Sequence, residues 1–296
     1  MKWRMFICAI CFLIGGCSLN IPLEDQFSDP DAITDVLSAR SLLASAYKAM
    51  PQQIFQLSVL SDDFCPSQHL NKDMSLQGLY NWREVEMTEL AGTLWAGYYA
   101  VIAEVNALLA RIDAVVTLDE TEKLEKMRIV CEAKALKSWC YFDLLRLFAP
   151  RYEGNENKDG IILKKRVELD FLPRSSVKEC VTEIRTLLNE ARNVDNTQKN
   201  VYWLSDKAVA YLQVELELYA GNYPAVLELT KDLETEYPES VLGADVYKYL
   251  WSSENSDARI FGKYQLEQIY MDIRFDTFEK GDYLVLSQNV DYEEED

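Results

Sequence analysis

Few side chains in this sequence could carry out acid–base catalysis at neutral pH. His69 is its one histidine, so a serine–histidine–aspartate site could use no other imidazole as its base. The strings typical of nucleotide loops, zinc proteases and serine hydrolases are absent from the sequence. The 49 acidic residues form many pairs, and none stands out as the acid and base of a glycosidase. We therefore expect no catalytic residues and no enzymatic activity.

Residues 155–162 imitate the first half of a calcium-binding loop. Oxygen-bearing side chains stand at alternate positions and are followed by Gly160. The twelfth position is Arg166, whereas such a loop needs a bidentate glutamate there, and a guanidinium would repel the ion. We interpret the segment as a polar turn, and we expect neither a metal site nor a cofactor.

The N-terminus has the pattern of an export signal that ends in a reactive thiol. Lys2 and Arg4 precede an apolar stretch, residues 5–14, which is too short to span a bilayer comfortably. Two glycines and Cys17 follow, and small residues before a cysteine at this place resemble a bacterial lipobox. On that resemblance, cleavage falls before Cys17 and its thiol becomes lipid-modified. The alternatives are an ordinary secretory signal with an incidental cysteine, and a single-span anchor. No later stretch is expected to cross a membrane.

The charge of the chain limits its partners. The formal net charge is −19 at pH 7, and loss of Lys2 and Arg4 with the leader would make it more negative. Because such a surface repels polyanions and anionic lipid, no nucleic-acid partner is expected. Beyond Cys17 the cysteines show no C-x-x-C spacing, and three of them lie in helical patterns. We interpret those three as small buried hydrophobic side chains. These later cysteines are Cys65, Cys131, Cys140 and Cys180.

A pair of helices in residues 94–148 organises the chain. The first runs through Ile112, and the second begins at Asp119 and ends before Pro150. Apolar residues cover more than one face of the second helix, so other helices must pack on both sides of it. Trp95, Trp139, Tyr141 and Phe142 stand at core spacing and are interpreted as scaffold. Asp143 and Arg146 lie three residues apart in the same helix. They are expected to pair with each other or with a neighbouring hairpin, in a structural role.

Capping and stop signals predict four further helices around this pair. They run from Asp29-Pro30 to Pro51, from Ser176 to Ala191, from Ser205 to Tyr219, and from Tyr223 to about Tyr237. Gly221 between the last two is typical of a tight turn of tetratricopeptide type. The sequence period is loose, so these signals by themselves predict only a mainly α fold of stacked helical hairpins.

Several stretches fall outside these helices. Residues 61–82 are predicted to be mostly a polar loop with exposed aromatics, and binding residues tend to lie on such loops between rigid helices. Residues 161–171 are expected to be extended, and residues 260–266 resemble a strand. The acidic end, residues 291–296, is interpreted as a solvated tail.

Six motifs in order resemble the SusD/RagB family of Bacteroidetes outer-membrane lipoproteins, from residue 17 to about residue 265. Each motif alone is weak, but their order is specific. They are the lipobox at Cys17; Leu94-Trp95 with Tyr98, Ile102 and Asn106; Glu132–Leu136 leading into Tyr141–Phe148; Pro173–Ser176; Lys207–Leu212; and Leu218–Tyr223.

The resemblance implies a tetratricopeptide-like scaffold with a second, irregular lobe. For this chain it predicts a mainly α fold, a tetratricopeptide-like stack of helical hairpins that forms an α–α superhelix with a short irregular C-terminal part. It also implies a place on the cell surface beside a SusC-like TonB-dependent transporter, to which the protein passes a bound polysaccharide, oligosaccharide or other nutrient. In the family, the corresponding N-terminal loop contributes to binding, and Trp82 is the foremost candidate here. The ligand-binding residues implied for this chain are Asp62, Asp63, His69, Asn71, Tyr80 and Trp82.

Two features depart from the family pattern. Ala149-Pro150 stands where members usually have a glycine, and members are usually much longer, so the chain is expected to be a short or truncated member. The expected domains are a signal peptide (1–16), a lipidated tether (17–28), the helical domain (29–238) and a remnant of the C-terminal lobe with the acidic tail (239–296). The alternative function is that of a helical-repeat adaptor lipoprotein that binds only protein partners.

Overall fold

The computed structural model describes residues 33–66, 74–168, 171–192, 202–236, 259–262 and 283–285. These residues form α-helices and two short strands. In chain order they are α1 (Val36–Lys48), α2 (Ile54–Leu60), β1 (Phe64–Pro66), α3 (Met74–Tyr80), α4 (Glu84–Arg111), α5 (Glu120–Phe148), α6 (Val177–Ala191), α7 (Asp206–Tyr219), α8 (Tyr223–Glu236) and β2 (Tyr283–Val285). A 3₁₀ turn, Ile112–Ala114, prolongs α4. The predicted leader, Cys17, the tether and the acidic tail lie outside the described residues.

The predicted central pair is confirmed as the hairpin of α4 and α5. Asp119 caps α5, because its side chain accepts a hydrogen bond from the backbone N–H of Glu122 at 2.9 Å. Side chains on several faces of α5 are buried, and α1, α4, α6 and α7 all contact it. The helix therefore lies inside the stack with neighbours on more than one side, as its sequence requires.

The three helices after the pair are also confirmed, together with the signals that set their ends. All seven apolar residues of the α6 stripe are buried, from Val177 to Ala191. Ser205 caps α7 through the backbone N–H of Ala208 at 3.2 Å. Gly221 then adopts a left-handed φ of +69°, which glycine tolerates without strain and which turns the chain into α8.

Replacing Ser176 with alanine should lower the free energy of unfolding by about 1 kcal/mol. Ser176 and Glu179 form a reciprocal capping box at the start of α6, and alanine would leave the N–H of Glu179 without its 3.2 Å acceptor. Urea unfolding measures the change. Thr182→Ala is the control in the same helix, since its exposed hydroxyl bonds only the Lys178 carbonyl within the helix. Equal stability of Ser176→Ala and wild type would contradict the prediction.

The start of the first described helix differs from the prediction. Residues 33 and 34 are not helical, and α1 begins at Val36. Asp35 is its cap: the carboxylate accepts from the N–H of Ser38 at 2.7 Å, and the Ser38 hydroxyl accepts from the N–H of Asp35. The cap of α1 is therefore this local capping box. The predicted start at Asp29-Pro30 lies outside the described residues. The helix α4 also differs from the prediction, because it begins at Glu84, ahead of the predicted Leu94, and its N-cap residue Arg83 makes no capping hydrogen bond with its side chain.

The predicted loop at 61–82 is wrong in part, because its described residues include β1 and α3. Leu76 and Leu79 of α3 pack on Val59 of α2 in a small core separate from the main one. The predicted strand at 260–266 is also wrong for the part that the structure describes, since residues 260–262 are irregular. β1 instead pairs antiparallel with β2, with Cys65 opposite Leu284.

The segment after the polar turn is extended, as predicted, and it lies against the central hairpin. The hydroxyl of Tyr99 in α4 donates to the carbonyl of Ile162 and accepts from its N–H, both at 2.9 Å. The hydroxyl of Tyr141 in α5 donates to the carbonyl of Lys164 at 2.6 Å. Ile161 is fully buried, so this segment forms one wall of the core.

Within the described residues, one stretch, Glu84–Ala114, is long and apolar enough to cross a membrane by length and composition alone. The expectation that no later stretch would pass this test was therefore wrong. Buried core helices pass the same test, and the buried side chains of α4 belong to the main core with those of α1 and α5.

Candidate ligand-binding site

Trp82, the foremost predicted ligand residue, stands at the tight turn between α3 and α4. Its side chain is 62% exposed and its φ is +54°, in the left-handed region that a tryptophan rarely adopts. The turn is closed by backbone bonds from Trp82 N–H to the Leu79 carbonyl at 3.0 Å and from Arg83 N–H to the Gly78 carbonyl at 2.9 Å. The turn thus presents a large aromatic face to solvent, as a stacking platform for a sugar ring requires.

The other predicted residues that the structure describes do not form a cluster with Trp82. Tyr80 is half-buried against the small α2–α3 core, and Asp62 and Asp63 are exposed after α2. Asp63 accepts a hydrogen bond from Ser61 at 3.0 Å, and Asp62 has a left-handed φ of +67°. In the part of the chain that the structure describes, no hydrogen bond or ring contact joins Trp82 to these three side chains. His69 and Asn71 lie outside that part.

A larger concave surface lies between α5 and α7, and we call it the aromatic groove. Its volume is about 760 Å³, within the range of small-ligand sites. Residues 202–204 and 259–262 close it. The lining side chains from the two helices are Trp139, Phe142, Arg146, Ala208, Tyr211, Leu212 and Glu215.

Two charged side chains lie among these aromatic rings. The guanidinium of Arg146 stands 4.5 Å above the ring of Phe142, and its Nη1 is 3.8 Å from a carboxylate oxygen of Glu215. Its Nη2 also bonds Asp143 at 2.5 Å, which confirms the predicted Asp143–Arg146 pair. Asp143 in turn accepts a hydrogen bond from the buried Tyr98 hydroxyl at 2.9 Å. The carboxylate that holds Arg146 is therefore itself held by a residue of the core.

Tyr211 is the most accessible aromatic ring whose place in the groove is fixed by a helix. Its side chain is 46% exposed and stands one turn before Glu215 on α7. Burial raises the pKa of Tyr211, and the charge and hydrogen bond of Glu215 raise it further, so the phenol stays protonated at neutral pH. The groove therefore offers an aromatic face, a hydroxyl, a carboxylate and a guanidinium, which are the groups that bind a sugar through its apolar face and its hydroxyls.

The interpretation of the four helical aromatics as scaffold is only partly confirmed. Tyr141 is fully buried, and Trp95 packs edge-on to Phe148 at 5.0 Å. Trp139 and Phe142 also belong to the core contacts, but both line the groove, and Trp139 stands edge-on to Phe261 at 5.0 Å. Helical spacing could place them on an apolar face, whereas it could not show that α7 leaves part of that face open.

The later cysteines are free thiols in the structure. Cys131, Cys140 and Cys180 are buried, as predicted, and Cys65 in β1 is partly exposed. Burial raises the pKa of Cys131 and of Cys180, which keeps these thiols protonated. The polar part of the calcium-loop-like segment, residues 155–158, lies in a turn, closed in part by the side chain of Asn155 on the Arg151 carbonyl at 3.0 Å, whereas Ile161 and Ile162 belong to the extended segment that follows.

Fold and groove together define an α-helical repeat protein with an aromatic concave surface between two of its helices. A family of SusD-like proteins, described as starch-binding and associating with the outer membrane, matches residues 23–215. The chain belongs to this SusD-like family.

Solved structures agree with that fold. A putative sugar-binding protein from Bacteroides vulgatus superposes with a TM-score of 0.63 at 21% identity, over 78% of this chain and 54% of its own. A SusD superfamily protein from Bacteroides thetaiotaomicron has a TM-score of 0.63 at 15% identity, and the match covers 86% of this chain and 61% of that protein. A laminarin-binding SusD-like protein has a TM-score of 0.52 at 21% identity, and the match covers 69% of this chain and 44% of that protein. The chain thus spans about half the length of these structures. No curated protein matches it significantly.

Proposed function

We propose that this chain is a cell-surface lipoprotein that binds a glycan, or another nutrient, and passes it to a TonB-dependent transporter of the outer membrane. The observation that carries the proposal is the match of residues 23–215 to a family described as starch-binding and associating with the outer membrane. The lipobox-like cysteine, Cys17, supports a lipid anchor, and the proposal places the anchored chain on the exterior face of the membrane. The proposed mechanism is binding and release, with no bond made or broken.

Two surfaces of the chain could hold the glycan in this proposal. The aromatic groove supplies rings and hydroxyl-binding groups in one concave place, whereas the turn at Trp82 supplies a single exposed ring. We assign the main contact to the groove, because sugar affinity needs stacking and several directed hydrogen bonds together. The turn at Trp82 is assigned a supporting contact for a longer chain.

Substitution of Tyr211 by alanine should raise the Kd for a bound glycan about tenfold, because a stacking face is lost. Trp82→Ala should have a smaller effect. Both side chains are largely exposed, so the fold should survive. Tyr223→Ala is the matched control, since Tyr223 is 63% exposed on α8 and does not line the groove. Electrophoresis through gels that contain starch, laminarin or other polysaccharides measures the retardation of each variant.

The outcomes separate the possible functions. Retardation that is weakened by Tyr211→Ala and unchanged by Tyr223→Ala supports glycan binding in the groove. Loss of retardation with Trp82→Ala alone would instead place the binding site at the turn. Lack of retardation by any glycan, together with stable co-purification with a transporter barrel, would favour the protein-binding adaptor. Release of sugar fragments from a polysaccharide would contradict the non-enzymatic mechanism.

A further inference from the structure

A second cavity, which we call the cationic cavity, lies on the other side of α5. Its volume is about 590 Å³, and its walls are α4, α5 and residues 165–168. Lys137 in this cavity and Trp139 in the aromatic groove are two residues apart, about 200° around the helix, so the two sites face in different directions. The charged and amide side chains that line the cavity are Asn106, Arg111, Lys137, Lys165, Arg166 and Glu168.

The net charge of the residues that line this cavity is positive, whereas the net charge of the whole chain is negative. Four cations and one carboxylate line the cavity, whereas the chain has a formal net charge of −19. Glu183 is close enough to pair with Lys165 at 2.6 Å, but it still leaves the cations in excess. A concave surface of one sign concentrates ions of the other sign.

Lys137 is the buried centre of the cavity. Its side chain is only 4% exposed, and its Nζ donates to Oδ1 of Asn106 at 2.6 Å. The amide of Asn106 is oriented for this by its own Nδ2, which donates to the carbonyl of Lys164 at 2.9 Å. In the described part of the chain no carboxylate lies within 4 Å of the ammonium. The ammonium also lies 5.6 Å from the centroid of the Tyr141 ring. Because neither the amide nor the ring carries a charge, a bound anion would still stabilise this buried ammonium.

The remaining cations could turn towards a ligand at small cost. Nη1 of Arg111 makes one long bond, 3.4 Å, to the carbonyl of Ala107 in its own helix. Lys165 and Arg166 pair with Glu183 and Glu168, the latter at 3.5 Å, but both cationic side chains are mostly exposed. Exposed pairs of this kind contribute little free energy and exchange partners readily.

We propose that the cationic cavity binds an anionic group, a carboxylate or a sulfate, between the ammonium of Lys137 and the guanidinium of Arg111. The ammonium supplies a buried point charge, and the guanidinium supplies a fork that matches two oxygens of the anion. The volume would also admit the ring of an acidic monosaccharide. This site is separate from the aromatic groove, and it does not depend on the proposed function.

Isothermal titration of the purified full chain tests the site with three probes at constant ionic strength. Sulfate represents a free oxyanion, glucuronate represents an acidic sugar, and glucose is its neutral counterpart. We expect at least one of the two anions to bind and glucose not to bind in this cavity. Lys137→Met and Arg111→Gln should each weaken anion binding on the order of tenfold or more, because each removes a charge-assisted bond. Lys48→Gln, an exposed lysine on α1, should leave it unchanged.

The pattern of results also identifies the source of the anionic group. Tighter binding of glucuronate than of sulfate would support an acidic saccharide, whereas binding of sulfate alone would support a small oxyanion. Absence of heat with both anions would overturn the site. So would equal affinity of wild type, Lys137→Met and Arg111→Gln, since the anion would then lie elsewhere. A negative result in these titrations would not affect the glycan test at Tyr211, because Tyr211 lies in the aromatic groove, on a different side of α5 from the cationic cavity.

Discussion

Replacing Glu132 with alanine should lower the free energy of unfolding by about 3 kcal/mol, the largest loss that we expect from a single polar side chain. Its carboxylate on α5 is fully buried and accepts from Nη1 of Arg40 on α1 at 2.8 Å. The Arg40 side chain is itself only 17% exposed, and its guanidinium lies 4.9 Å from the ring centroid of Trp203. Loss of Glu132 would leave that buried cation under-compensated.

The charge state of Arg40 makes this loss unavoidable at neutral pH. Burial alone would lower the pKa of Arg40, but the hydrogen bonds and charges of Glu132 and, to a smaller extent, Glu125 together outweigh burial and raise the pKa above its ordinary value. Tyr47 belongs to the same buried cluster: its ring stands edge-on to Trp203 at 5.1 Å, and its hydroxyl accepts from the N–H of Leu204 at 3.1 Å. The pair thus links α1 and α5 to the segment before α7.

Glu125→Ala is the matched control for this prediction. Glu125 lies two turns before Glu132 on α5 and bonds Nε of Arg40 at 2.8 Å, but its side chain is 28% exposed. Water can replace the lost partner there, so we expect a loss of about 1 kcal/mol or less. Urea unfolding with an unchanged slope gives both values. A loss at Glu132 no larger than that at Glu125 would contradict the role of burial.

The helices could be predicted because their ends depend on a few neighbouring residues. Asp119, Ser176 and Ser205 each bond a backbone N–H two or three residues further on, and Gly221 supplies the left-handed turn. Each of these signals involves residues within one helical turn of each other, so it can be recognised from the local sequence alone. The start of α1 has the same local origin, since Asp35 forms its capping box with Ser38, three residues further on.

The parts that depend on distant residues could not be predicted in this way. β1 pairs with β2 across more than two hundred residues, and three-residue strands have too short a pattern to be recognised. α3 has seven residues and is too short to be stable alone. It is held by the packing of Leu76 and Leu79 on Val59, a contact that the local sequence does not specify.

The two cavities were missed for a related reason. α5 is apolar on several faces, and periodicity cannot show which face another helix covers and which face remains open. Trp139 therefore counted as core, although it lines the groove. The one signal available for the cationic cavity was a lysine, Lys137, among core positions of an apolar helix. Its partner Asn106 belongs to another helix, and their contact becomes visible only when α4 packs on α5.

Replacing Lys137 with methionine should stabilise the protein by about 1–3 kcal/mol near pH 7. Burial lowers the pKa of Lys137 from 10.5 to about 8. Since each unit corresponds to about 1.4 kcal/mol, holding the ammonium in the folded protein costs about 3 kcal/mol below pH 8. Methionine has a similar length and no charge, and it forfeits the hydrogen bond to Asn106, about 1 kcal/mol. Urea unfolding measures the net gain.

This gain should shrink as the pH rises. Between about pH 8 and 10.5 the unfolded chain keeps the lysine proton that the folded protein releases, so the wild type gains stability there and approaches the variant. Lys134→Met is the control, since Lys134 is half-buried on the same helix and pairs with Glu190 at 2.8 Å. Destabilisation by Lys137→Met, or a gain in the free energy of unfolding that does not change with pH, would contradict the prediction. A variant that is more stable yet no longer binds an anion would indicate that Lys137 is kept for a ligand, because its charge otherwise only destabilises the fold.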